Sequence, residues 1–134
     1  MAEQIVLLDT SILIDYFRKK DKDKTLLVHL SDRFDKFCIS SIIEFEVYAG
    51  ATGTQLSFWE HLLQEINVIP FDSKAAHAAV AIQNKLKEKR KTIDKADLFI
   101  AATAIANNIP LATLNRKHFD LIGNLELISS KEYS

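Results

Sequence analysis

Short aliphatic runs and longer segments with apolar residues at helical spacing alternate along the whole of this 134-residue chain. Ile5-Val6-Leu7-Leu8 is the first run, and four apolar residues in a row read as a strand buried on both faces. A helix is expected over about residues 11–19 and a second over about 23–33, where Leu26, Leu27 and Leu30 recur at helical spacing. Residues 36–40 return as a strand. Ser40 or Ser41 then suits the N-cap of a helix through Ile42, Ile43, Phe45, Val47 and Tyr48, and Gly50 suits its end. Residues 55–65 carry Leu56, Trp59, Leu62 and Leu63 in a 3.6-residue pattern, followed by a short strand that ends at Pro70. A long helix over about 72–91, an alanine-rich one over about 95–107, a strand at 111–113 and a last strand near 125–128 complete the series. Alternation of this kind predicts an α/β fold: a three-layer α/β/α sandwich with a mostly parallel sheet of about five strands.

Length and composition narrow the picture. The chain is expected to form one domain over residues 1–134, since a chain of this size buries roughly two thirds of its unfolded surface. Only three glycines and two prolines interrupt it, and no linker or repeat is seen. Cys38 is the one cysteine, which points to a reducing compartment with the cytoplasm as default. The apolar runs are too short for a membrane span or a signal segment, so no membrane partner is expected. A net charge of −1 gives no whole-molecule argument for nucleic acid, and any such argument must come from where the charges sit. Lys85-Leu86-Lys87-Glu88-Lys89-Arg90-Lys91 is the strongest basic run, with smaller groups at Arg18-Lys19-Lys20 and Arg116-Lys117-His118. Each run serves either as a solvated helix end or as a phosphate contact.

The acids carry more. Asp9-Thr10-Ser11 follows the first strand, at the carboxyl end where open α/β sheets bind ligands. Asp9 is thus either a site residue or the N-cap of the next helix. Glu44 and Glu46 lie in a helix with little polar surface, about 200° apart around its axis, so the two point different ways. Asp94 and Asp97 open the alanine-rich helix, where both suit its positive end. Small residues from Ala101 to Ala106 require close packing, which brings the mouth of this helix near the sheet. Carboxylates converging from separate segments repel one another unless a cation sits among them. Oxygen donors suit Mg²⁺ or Mn²⁺. Zinc is disfavoured, because Cys38 is alone and His29, His61, His77 and His118 lack ligand spacing; these histidines read as surface or structural residues.

Four segments occur in order: Asp9-Thr10-Ser11; Ile39-Ser40-Ser41-Ile42 leading to Glu46-Val47-Tyr48-Ala49-Gly50; Asp97-Leu98-Phe99-Ile100-Ala101-Ala102; and Thr113-Leu114-Asn115-Arg116-Lys117-His118-Phe119. Together they resemble the PIN-domain nucleases, and in particular the VapC-type toxins of toxin-antitoxin modules, over nearly the whole chain. The resemblance implies Mg²⁺-dependent endoribonuclease activity, a small cognate VapB-like antitoxin and a homodimer. It also implies that Asp9, Glu46 and Asp97 are the catalytic and metal-binding residues. Glu46 is chosen over Glu44 because the family's acid precedes a glycine by four residues, as Glu46 precedes Gly50. Thr10, Ser11 and Thr113 are expected to fix the carboxylates by hydrogen bonds. Many PIN nucleases carry a further acid after the strand ending at Thr113. Here Asn115 stands in that segment, with Asp120 five residues later, so one tightly held ion is expected. The run from Lys85 to Lys91 is placed to receive RNA backbone near the acids. An inactive binding module acting through a protein or RNA partner is the competing reading. A haloacid-dehalogenase-like phosphatase wants an acid where Ser11 stands, and a receiver domain wants an acidic pair where Asp9 is alone.

Overall fold

A computed structural model describes residues 3–129. Its centre is a five-stranded sheet of β1 (Ile5–Leu8), β2 (Lys36–Ser40), β3 (Asn67–Ile69), β4 (Leu111–Ala112) and β5 (Leu127–Ile128). The order is β3-β2-β1-β4-β5, and every neighbouring pair is parallel. The sheet is therefore wholly parallel, where the alternation predicted it mostly so. Register is fixed at the middle by Leu7 opposite Cys38 on one side and Leu111 on the other.

Parallel pairing obliges each connection to cross over, and helices fill those crossovers: α1 (Thr10–Arg18), α2 (Leu26–Leu30), α3 (Ser41–Gly50), α4 (Gln55–Gln64), α5 (Ser73–Glu88) and α6 (Lys95–Ala106). Val6, Leu7 and Leu8 are fully buried in succession although their side chains alternate in direction. Both faces of the central strand are thus covered, as a three-layer sandwich requires. Ile12, Leu13, Ile39, Ile43, Ile100, Leu111 and Phe119 complete a continuous core. α6 meets its neighbours through Ala101, Ala102, Thr103 and Ala104, all fully buried, and Thr103 Oγ1 satisfies its polarity by donating to the Phe99 carbonyl at 2.8 Å. Trp59 is buried and stacked on Phe17, and the half-buried Phe58 packs edge-on against both, so these aromatics belong to the core. Cys38 is buried and unpaired, and desolvation pushes its thiol pKa up, which marks it as a packing residue. Among the described residues no helix is long and apolar enough to cross a membrane.

Three element boundaries differ from the periodicity. The helix expected over 23–33 is broken into a 3-10 turn (Lys22–Lys24) and the short α2. Thr25 is the cause: it is fully buried in extended backbone, and its Oγ1 donates to the Lys22 carbonyl at 2.6 Å. The helix expected to reach 91 ends at Glu88, because Arg90 turns left-handed (φ 58°). The Arg90 and Lys91 N–H groups then close back on the Lys87 and Leu86 carbonyls. Asn108 (φ 54°) ends α6 in the same way, with Ile109 N–H on the Ala104 carbonyl. The last strand is confined to Leu127–Ile128.

Candidate active site

The strand order places a topological switch between β1 and β4: from β1 the chain builds outward to β2 and β3, then returns to build β4 and β5 on the other side. Crevices beyond the carboxyl ends of strands at such a point are where open α/β sheets bind ligands. Asp9 leaves β1 there and Thr113 leaves β4.

Asp9 occupies the N-cap position of α1, yet its side chain makes no cap hydrogen bond. The capping reading therefore does not describe it. Its Oδ2 instead accepts from Thr113 Oγ1 at 2.8 Å and from Ser11 Oγ at 2.8 Å. Each hydroxyl is itself aimed by a backbone donor. Leu114 N–H donates to Ser11 Oγ at 3.0 Å, and Asn115 N–H donates to Thr113 Oγ1 at 2.9 Å. With their lone pairs engaged, both hydroxyls turn their protons toward the carboxylate. Asp9 is only 5% exposed, and both of these bonds fall on Oδ2, so Oδ1 is the oxygen offered outward.

α3 starts directly after β2, where the Ser40 hydroxyl accepts from Ile43 N–H at 3.2 Å and fixes the helix start. One and a half turns on, Glu46 is exposed and its Oε1 accepts from Thr10 Oγ1 at 3.2 Å. Glu46, not Glu44, thus faces α1, in keeping with their separation around the helix.

Asp97 lies in the first turn of α6, whose N-cap is supplied by Asp94. Its side chain is 18% exposed, and Oδ2 stands 3.2 Å from His118 Nδ1. Burial pushes its pKa above the ordinary carboxylate value. His118 pulls the other way, while the negative charges of Asp9, Asp94 and Glu46 add to the rise. Three acids far apart in sequence, Asp9, Glu46 and Asp97, therefore share one electrostatic environment.

His118 is a site neighbour that sequence reasoning set aside as a surface or structural residue. The signal available was its place in the turn after β4, the segment already singled out for Asn115. Asn115 engages through its backbone N–H and its side chain caps nothing; Asp120 is exposed and paired with Arg116 at 3.2 Å. In the basic run, Lys87 and Lys91 join Lys95 around a cavity of about 190 Å³ between the end of α5 and the start of α6. Positive charge is thereby gathered at the mouth of the helix that bears Asp97.

Among the described residues, no three His, Cys, Asp or Glu side chains close together into a finished metal cage. The acids form an open set of oxygen donors with mutually unfavourable charge. That chemistry fits a hard, hydrated cation, since Mg²⁺ dehydrates reluctantly and is commonly held by one or two carboxylates with waters completing the shell.

With this geometry in place, comparison with known proteins is decisive. The profile of the PIN domain family matches residues 6–125. The chain belongs to the PIN-domain family. This PIN domain is similar to Ribonuclease VapC1 of Methanocaldococcus jannaschii, at 33% identity over 88% of the chain and 81% of that protein. It is equally similar to Ribonuclease VapC of Rickettsia bellii, at 33% identity over 92% of the chain and 95% of that protein. Among solved structures, VapBC2 from Rickettsia felis, bound to a DNA fragment from its promoter, superposes with a TM-score of 0.82 at 30% identity, covering 94% of this chain and 98% of that one. PIN-domain ribonucleases in general depend on a divalent metal.

Proposed function

We propose that this PIN domain is a VapC-type toxin: a cytoplasmic endoribonuclease that hydrolyses RNA phosphodiester bonds with Mg²⁺, or Mn²⁺ in its place, and that a small VapB-like antitoxin restrains. The observation that carries the reading is Asp9 at the carboxyl end of β1, held through Oδ2 by Ser11 and Thr113 at 2.8 Å each, with Glu46 tied to the adjoining Thr10 and with the Asp97 carboxyl raised by burial and by the charges of both acids. The relatives named ribonucleases, and the toxin-antitoxin complex that shares the fold, support it. A homodimer is part of the same reading.

Asp9, Asp97 and Glu46 would hold the cation. Bound there, a divalent ion supplies Lewis acidity at a phosphoryl oxygen and lowers the pKa of water. The chain's own residues do the rest. Ser11 and Thr113 fix Asp9 through Oδ2, so that its other oxygen keeps one direction. Thr10 holds Glu46 through Oε1, leaving Oε2 to orient a water or accept its proton. Lys87, Lys91 and Lys95, gathered where α5 ends and α6 begins, would contact the phosphates of the RNA backbone. His118 supports the ionised form of Asp97, and Asn115 stands exposed beside it to position substrate.

The test is cleavage of an end-labelled total RNA pool by purified protein with Mg²⁺, with EDTA, and by Asp97→Asn. Cuts that need the metal and disappear in the variant are expected. Equal cutting by Asp97→Asn removes that residue from the site, and no cutting under any condition favours a binding module without activity.

A further inference from the structure

We infer that a cleft beside Glu46 receives one base of the RNA and that cleavage preference is set there, an inference that rests on the nuclease reading above. The cleft encloses about 330 Å³. Thr10 and Glu46 line it and are joined by a hydrogen bond, so the wall of the cleft is also the wall of the carboxylate site. An RNA strand with a phosphate at the acids has an adjoining nucleoside at this mouth by covalent linkage.

The lining suits a base. Phe17 and Trp59 contribute an apolar side, their rings stacked at 5.2 Å and 28° and braced edge-on by Phe58. Trp59 is buried and the rings pack on one another, so this wall offers a base apolar contact along ring edges and leaves recognition to the polar residues. Selectivity comes from Arg18 and Gln55 in the same lining. Arg18 makes no ion pair among the described residues, and Gln55 uses only Oε1, on Thr52 N–H at 3.4 Å, so its amide N–H groups are available to a base edge. Arg18 also places positive charge beside acids that otherwise repel a phosphate backbone. The volume lies near the lower end of the range for ligand pockets, roughly 300–1,000 Å³, and suits one ring system better than a length of peptide.

Gly50 allows a clean test. It lines the cleft at the end of α3, and a Cβ built on it meets nothing within 4 Å. Leucine at this position fills the cleft without displacing the fold. Wild type, Gly50→Leu and Arg18→Gln would be compared on a random-sequence RNA, with the cut ends sequenced. The wild type is expected to prefer one base at a position next to the cut, and both variants to lose about tenfold of that preference, the size of one lost hydrogen bond to a base edge. Absence of any preference in the wild type overturns the inference. So does a preference that both variants keep, even if overall rate falls. If the preference persists while Gly50→Leu abolishes antitoxin binding, the cleft belongs to a protein partner instead. A wild type that cuts nothing brings down the nuclease reading together with this one, and is distinct from a wild type that cuts while the variants keep its preference.

Discussion

Replacing Thr113 by valine removes one oxygen from the centre of the site and little else. Thr113 is fully buried, its hydroxyl donates to Asp9 Oδ2 at 2.8 Å, and it accepts from Asn115 N–H at 2.9 Å. A hydrogen bond to a charged group contributes about 1.5–3 kcal/mol and a neutral one about 1 kcal/mol. Valine keeps the branched shape and recovers up to about 1 kcal/mol as buried methyl. The net loss is then about 1.5–3 kcal/mol, a large part of a stability of roughly 5–15 kcal/mol. For a domain of this size that lowers Tm by about 6–12 °C, at about 4 °C per kcal/mol. Thr113→Ser keeps the hydroxyl and sheds one methyl, a loss of about 1 kcal/mol. Thermal unfolding in EDTA measures both. The expected order is wild type, then serine, then valine, with cleavage following the same order because Asp9 loses its restraint. A valine variant as stable as wild type, or more stable than serine, would refute the claim that this hydroxyl orders Asp9.

Two further perturbations probe Asp97. Its pKa is raised in the folded state, so its contribution to stability is fully present below the unfolded carboxylate pKa and is lost as pH rises through the folded value. In EDTA, Asp97→Asn is therefore expected to melt higher than wild type at neutral pH and to lose that advantage in acid; an advantage equally large in acid contradicts this origin. His118→Ala removes the one neighbour that lowers the Asp97 pKa, so the acid limb of the cleavage pH profile should move to higher pH, and an unmoved limb would mean that the 3.2 Å contact has no electrostatic effect on the reaction.

The sequence pattern made most of the architecture legible because the central strands β1 and β4 are short aliphatic runs buried on both faces, which leaves little ambiguity once helical patterns alternate with them. Boundaries were less legible where tertiary context overrode the pattern. Leu26, Leu27 and Leu30 recur at helical spacing, but the buried Thr25 hydroxyl claims the Lys22 carbonyl and interrupts the helix. At Arg90 the left-handed turn falls on a residue that is neither glycine nor asparagine, so no breaker announced it. In the site, hydroxyls close in sequence to Asp9, or following the neighbouring strand, were readable as its supports. His118 was not, because its contact with Asp97 depends on the 3-10 turn after β4 folding back toward α6. Nor does any local pattern say that Glu46 meets Thr10. That contact is set by how α3 packs against α1.

The central claim is that Asp9, Glu46 and Asp97 act as one cation-binding site, and the most direct measurement is the change in Tm caused by saturating Mg²⁺. Ligand binding to the folded state alone raises stability by mass action, about 2.7 kcal/mol at a hundredfold excess over Kd. The wild type should gain several degrees, and Asp9→Asn, Glu46→Gln and Asp97→Asn should each gain markedly less. An equal gain in wild type and all three variants would place the cation elsewhere and contradict the assignment.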